Sequence, residues 1–376
     1  MPPTLPMSAP HSDEVFRAIL TAAVRANASD IHLKPGGQVM FRIDGDLVPV
    51  EASKPTEAWL RMVIRAILPA HLTAHFEHEH EVDFAFNDPH LGRFRANAFV
   101  QRGHPTLALR IVKSTVRNIE DLNLPSQVAR LAEAPRGIVI LAGATGSGKS
   151  TTLAALVEHV NQNSRKHIIT IEDPIEFLFT DQESVIEQRE VGLDTSSYAV
   201  GLRHVLRQDP DVIVVGEMRD AESARAAMSA ANIGRLVFTT LHTGDAVQSV
   251  HRILEFFPTN ERDFARRLLA ETLHGVMCQR LVRSSESGIF PAVELLFNNQ
   301  AISRLIADDH LDKVRGAIEL GGADGMQTFD QHLTAMVKEG RISRDEAINQ
   351  AANPDLLRMS FQGVIVNEGQ RILQSR

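Results

Sequence analysis

The sequence predicts an α/β protein of two domains: an α+β module, then a parallel-sheet domain that ends in a helical region. Three observations predict it. From Gly137 onward, apolar strand patterns alternate with helical ones, the signature of parallel strands joined by crossover helices. Before Lys113, short strands and an Asp44-Gly45 hairpin signal follow an amphipathic helix. The chain has 376 residues, room for two or three domains at ~100–200 residues each.

The elements follow in order. Residues 1–12 read as a disordered tail, rich in proline and without the apolar run of a signal peptide. Asp13 caps a helix from Glu14 to about Asn27, with Phe16, Ile19, Leu20, Ala23 and Val24 on one face. Ile31 to Leu33, Val39 to Ile43 and Leu47 to Val50 read as strands, Pro55 to Leu68 as a helix, and Val82–Phe86, Gly92–Val100 and Thr106–Val112 as further strands. The first domain thus spans 13–113, and 114–130 reads as a linker. The parallel-sheet core spans 131–297, with strands Ile138–Ala142, Ile168–Ile171, Val212–Val215 and Leu236–Thr240. Its helices are Lys149–Asn161, Tyr198–Arg207, Ala221–Ala231 and about Asp245–Leu254. From Thr259 the chain reads as mostly helical, with one strand at Ala292–Leu296, and 298–376 as a helical C-terminal region.

Composition excludes several classes. Lys plus Arg number 39 against 47 Asp plus Glu, a net charge of −8. A nucleic-acid groove needs a dense basic surface, so none is expected. Aromatics are 5% of residues, too few for stacking platforms. Cys278 is the one cysteine, which rules out intrachain disulfides and Cys-rich zinc knuckles. The run Ile138 to Ala142 is far short of the ~20 residues that cross a bilayer. A cytoplasmic protein is the expectation.

Gly143-Ala144-Thr145-Gly146-Ser147-Gly148-Lys149-Ser150 fits the phosphate-loop pattern G-x-x-x-x-G-K-[ST], with an apolar strand running in and a helix beginning Thr151-Thr152 running out. The glycines let backbone N–H groups turn inward, and the helix N-terminus adds its own. Lys149 would reach the β- and γ-phosphates of ATP, and the Ser150 hydroxyl would hold Mg²⁺. Asp211 to Glu217 is a buried-strand pattern that ends in a carboxylate. Glu217 has the position of a metal-holding acid on an adjacent strand.

Ile169 to Glu176 is another strand that ends in clustered acids, Glu172, Asp173 and Glu176, at the sheet edge where open α/β sheets bind ligands. One of them would orient the attacking water, or the cluster is a solvated turn. Leu236 to Thr243 ends a third strand on His242, a γ-phosphate contact or a structural histidine. His71, His75, His78 and His80 lie among acids. His71 and His75 are spaced to share a helix face, but an exposed helix end explains them more simply. Arg262, Arg266 and Arg267 form a basic helix patch, read as a subunit contact or a solvated face.

Together these residues resemble one family, the secretion ATPases of type IV pili, and within it the retraction motors PilT and PilU. The resemblance covers about Asp13 to Ala351. Gly143–Ser150 resembles its Walker A motif and Ile171–Glu176 its Asp box. Val215–Asp220 resembles its Walker B segment, and Thr240–Thr243 its His box. It implies a PAS-like N-terminal domain, carried by Ala28 to Leu33, and a RecA-like P-loop domain with a helical cap. It implies Glu176 as the catalytic glutamate. Arg95 and Arg110 match arginines that the PAS-like domain brings to the phosphates, where guanidinium neutralises charge in phosphoryl transfer. Strand-surface arginines with acidic neighbours would look the same from sequence. It further implies a homo-hexamer with nucleotide between subunits. It places the ring peripherally at the inner membrane, against a pilus platform protein, with a second retraction ATPase as a further partner.

Two departures stand out. Arg235 takes the place of an earlier His-box histidine, and Ala301–Asp308 differs in charge from the family's A-I-R-N-L-I-R-E. Gln279–Arg283 and Met326–Gln331 look nearer PilU. A pilus-extension or type II secretion ATPase would bring a longer N-terminal region and a tetracysteine zinc motif. A non-catalytic nucleotide-binding adaptor is disfavoured by intact Lys149, Glu176 and Glu217. A DNA motor is disfavoured by charge.

Overall fold

The computed structural model describes residues 12–43, 45–286 and 288–362. The expected tail therefore lies outside the described residues except for Ser12, as do Asp44 of the hairpin and the last 14 positions of the expected helical C-terminal region. The chain forms two compact units. The first comprises residues up to Thr115 with Glu176–Leu178, and the second Val116–Ile175 with the chain from Phe179.

In the first unit, α1 (Ser12–Arg25), α2 (Glu57–Ile67) and α3 (Thr73–Glu79) accompany a six-stranded antiparallel sheet of β1 (Asp30–Leu33), β2 (Val39–Ile43), β3 (Asp46–Val50), β4 (Glu81–Asp88), β5 (Gly92–Gln101) and β6 (His104–Ile111). The strand order is β3-β2-β1-β6-β5-β4. Phe16, Ile19, Leu20 and Ala23 of α1 are buried in its core with Ile31, Phe41, Leu60, Phe94 and Leu107. Val24, expected on the same face, is exposed instead; it falls at the edge of the apolar stripe. The Thr56 side chain accepts from the Trp59 N–H and starts α2 at Glu57, two residues later than expected. His71 sits in a single 3₁₀ turn, Ala70–Leu72, and His75 in the separate α3, so the two do not share one helix face.

The second unit opens with α4 (Ala129–Ala132), β7 (Gly137–Ala142), α5 (Lys149–Asn163), β8 (His167–Glu172), β9 (Val185–Glu190), α6 (Tyr198–Val205), β10 (Val212–Val215), α7 (Ala221–Asn232) and β11 (Leu236–Leu241). There follow α8 (Ala246–Glu255), α9 (Arg262–Thr272), β12 (Leu273–Arg283), β13 (Ile289–Phe297), α10 (Gln300–Ala307), α11 (Val314–Leu320), α12 (Phe329–Lys338), α13 (Arg344–Gln350) and α14 (Pro354–Phe361). The seven-stranded sheet has the order β13-β12-β7-β11-β10-β8-β9. All its neighbouring pairs are parallel except β12–β13. Every residue of β7, β10 and β11 is buried, as expected for strands covered on both faces, which read as unbroken apolar runs.

Two strands depart from the sequence reading. β9 is an edge strand whose Glu187, Gln188 and Arg189 carry no apolar alternation. β12 occupies a stretch expected to be helical. Its run from Leu273 to Gln279 is buried apart from His274, and short apolar runs do not separate strand from helix by periodicity. Gly275 suits the strand: a Cβ there would lie 2.7 Å from Leu131 Cδ2 and 2.8 Å from the Leu296 carbonyl. Of the 114–130 stretch read as a linker, Ile119, Leu124 and Val128 are buried in the core of this unit. That core also takes in Ile302 and Ile306 of α10 and Phe329 and Leu333 of α12.

Candidate functional site

The strand order brings four strand ends side by side. β7 runs into the glycine loop, β11 into His242, β10 into Glu217 and β8 into Glu172 and Asp173. Because these strands are parallel, all four emerge at the same edge.

Gly143, Gly146 and Gly148 have φ of +152°, +79° and +86°, a region that favours glycine. Open space surrounds Gly146, so its backbone angle is the demand. At Gly143 and Gly148 a Cβ would come within 2.5 Å and 2.7 Å of residue Gln279. Thr145 and Ser150 are exposed, Thr151 is half-buried, and Ser147 and Lys149 are buried. Lys149 Nζ donates to the carbonyls of Gly143 at 2.7 Å and Ala144 at 2.9 Å. α5 starts at Lys149, so Lys149, Ser150 and Thr151 make up its first turn, where backbone N–H groups have no partner inside the helix.

Glu217 stands just past β10. Its Oε2 accepts from Arg219 Nε at 2.7 Å, and its Oε1 lies 3.4 Å from His242 Nε2. Arg219 also reaches Asp173 at 3.4 Å. The hydrogen bond to Glu217 raises the Arg219 guanidinium above its ordinary value. Tyr198 packs beneath this group, with the Arg219 guanidinium 5.9 Å from its ring centre. Burial, then the Asp173 charge, raise its phenol well above the ordinary value. Glu172 turns back to the sheet, accepting from Thr170 Oγ1 at 2.6 Å and Gln188 Nε2 at 3.0 Å. Thr240 Oγ1 donates to the Gly216 carbonyl at 2.6 Å, which ties β11 to the turn that carries Glu217.

Glu217, His242 and Asp173 are thus brought into one charged group. Arg219 and Tyr198 belong to that group, although the sequence reading gave neither a role. The spacing of Arg219 two residues beyond Glu217 was a usable signal; for Tyr198 there was none. Glu176 is exposed and groups with the first unit. Arg95 and Arg110 are also in the first unit, directly opposite each other on β5 and β6. Arg110 Nε donates to Asp30 Oδ1 at 2.8 Å. Arg235 precedes β11, at the end opposite His242, and pairs with Asp209 at 3.4 Å. Arg266 pairs with Asp263 and Asp309, so part of the basic helix patch is neutralised within this chain.

A strand, a glycine loop with its lysine and serine, and a helix, set in a parallel sheet beside an acid-bearing strand end, define a phosphate-loop protein. The chain belongs to the family described as Type II/IV secretion system protein, whose model matches residues 8–334. It is 39% identical over 337 residues to the type IV pilus retraction ATPase PilT of Pseudomonas aeruginosa, covering 90% of this chain and 98% of that one. It is 35% identical over 348 residues to the type IV pilus ATPase PilU of the same organism, covering 92% and 91%. Overall identity therefore does not single out PilU. A crystal structure of the pilus retraction motor PilT with bound ADP superposes with a TM-score of 0.82 at 39% identity, over 90% of this chain and 97% of that one. Among the described residues no helix is long and apolar enough to cross a membrane.

Proposed function

We propose that this chain is an ATP-hydrolysing motor that works as a homo-hexamer and drives type IV pilus retraction. The observation that carries the reading is the convergence of the glycine loop, Glu217 and His242 on neighbouring ends of one parallel sheet. The relatives named as pilus ATPases support the choice of process.

In this reading the glycine loop, from Gly143 through Thr145, Gly146, Ser147 and Gly148, and the first turn of α5, through Thr151, cradle the phosphates. Lys149 spreads its charge over the β- and γ-phosphates. Ser150 and Glu217 offer a hydroxyl and a carboxylate, the hard oxygen donors that suit Mg²⁺. They would hold the ion directly or through water, and when bound it neutralises phosphate charge. Glu176 orients or deprotonates the attacking water. His242, paired with Glu217, supports the γ-phosphate. Arg95 and Arg110 of the PAS-like domain complete the site when domains close, adding charge where it develops in phosphoryl transfer. Hydrolysis then changes the angle between the PAS-like and RecA-like domains, and an inner-membrane platform protein takes up that motion. The ring works in the cytoplasm, peripheral to that membrane, beside a second retraction ATPase.

Two measurements test this. Turnover should require ATP and Mg²⁺, and Glu176→Gln should cut kcat by about 100-fold or more while nucleotide still binds. Deleting the gene should leave cells with excess surface pili and no twitching. Bald cells would overturn retraction in favour of assembly, and a chain that stays monomeric and ignores ATP would overturn the motor itself.

A further inference from the structure

Gln279 lies in β12 and is only 4% exposed. Cys278 of β12 is in register with Ala142, the last residue of β7. Gln279 is therefore the first residue of β12 to run alongside the glycine loop. Both halves of its amide are used there. Its Nε2 donates to the Ser147 carbonyl at 2.8 Å, and its Oε1 accepts from Thr152 Oγ1 at 2.7 Å. Ser147 belongs to the loop and Thr152 to the start of α5, so one side chain spans the junction. Ser147 and Thr152 are themselves buried, which makes an unmade bond here costly.

We propose that Gln279 is a positioning residue for the nucleotide site, one that sets the Ser147–Gly148 peptide so that the Gly148 N–H faces the phosphates. This deepens the nucleotide reading above and rests on it. A trans peptide is planar, with its carbonyl and N–H pointing in opposite directions. Holding the Ser147 carbonyl toward β12 therefore turns the Gly148 N–H away from β12. Without that anchor the peptide is free to rotate, because Gly148 tolerates many backbone angles. The site asks for a neutral side chain with a donor and an acceptor at one distance. Glu lacks the donor and would aim a carboxylate at the Ser147 carbonyl. Met fills the volume but leaves the Ser147 carbonyl and the Thr152 hydroxyl unpaired.

The test uses the full chain and titrates a fluorescent ADP analogue, alongside ATPase kinetics. Gln279→Met should weaken ADP binding about tenfold and raise KM for ATP by a similar factor, with kcat changed less than threefold. Thr152→Val removes only the bond to Oε1 and should change affinity less than threefold. Should the Met variant fold poorly, Gln279→Glu keeps the shape and the Thr152 bond and should still lose affinity. Wild-type affinity in the soluble Gln279 variants would overturn the inference. So would an equal loss in Thr152→Val, which would mean general stiffening of the junction rather than orientation of one peptide. Failure of the wild type to bind ADP, or unchanged binding in Lys149→Ala, would instead strike the nucleotide reading.

Discussion

Arg95 and Arg110 face each other across the β5–β6 ladder, and Asp30 faces Arg110 from the other side, on β1. Arg42 faces Asp30 in turn from β2. Three guanidinium groups and one carboxylate thus form a single row across the sheet, and Asp30 is the one anion in it. Like charges directly opposite on a sheet are destabilising, so Asp30 holds the row together. It also leaves the row with surplus positive charge.

Asp30→Asn should lower the stability of the full chain by about 2 kcal/mol, read by urea unfolding at neutral pH. Burial works to raise the Asp30 carboxyl, but hydrogen bonds from Ser29 and Arg110 outweigh it and hold the group below its ordinary 3.8. Its contribution is therefore present above that value and lost as pH falls through the lower folded pKa. The Asn variant should show a shallower loss of stability below pH 4. Equal acid sensitivity in both proteins would count against the row.

The charged group at the sheet edge should respond to each member differently. Glu217→Gln should reduce kcat about 100-fold, since the charged oxygen donor proposed to hold Mg²⁺ becomes a neutral amide. Arg219→Ala should reduce kcat by about tenfold, because it leaves Glu217 without its 2.7 Å donor. Steady-state ATPase assays measure both. An Arg219→Ala enzyme of wild-type rate would show that the contact is only a surface pair.

Gly216 connects β10 to Glu217, and a Cβ on it would meet Tyr198 Oη at 2.9 Å and the Ile171 carbonyl at 3.3 Å. Gly216→Ala should therefore destabilise the fold by about 1–3 kcal/mol and depress turnover. Tyr198→Phe removes the tighter of these two contacts. Combined with Gly216→Ala, it should recover part of the stability, as measured in a double-mutant cycle. Strict additivity of the two changes would refute the proposed clash.

Two buried groups, Glu294 in β13 and His332 in α12, set opposite pH slopes. Glu294 accepts from the Ala246 N–H at 2.9 Å, and burial raises its carboxyl to about 7. The folded state keeps that proton longer than the unfolded one, so stability falls as pH rises from about 4.5 to 7. His332 Nδ1 accepts from the Val293 N–H at 2.9 Å, and burial lowers its ring to about 4. The unfolded state binds that proton first, so stability falls as pH drops from about 6.5 toward 4. The two slopes oppose each other between about pH 4.5 and 6.5. Glu294→Gln should unmask a loss toward acid, and His332→Gln a loss toward neutral pH, each of roughly 3 kcal/mol across its range. Unfolding curves at half-unit pH steps would show it, and identical profiles in both variants would exclude the assignment.

By itself the sequence determined the order of strands and helices around the glycine loop, and the strand-end positions of Glu217 and His242. These are local facts: an apolar run of fixed length, a glycine spacing and a polar residue where the run stops. The tertiary structure decided which strands are neighbours and what reaches the loop from far along the chain. It turned the 273–283 stretch into β12, because a short buried run is compatible with helix or strand until a partner strand claims its backbone hydrogen bonds. It set Gln279 against Ser147 and Thr152, and Arg219 against Asp173 at the end of β8. Those contacts join residues tens to more than a hundred positions apart, and no periodicity or motif spacing encodes a distance in space.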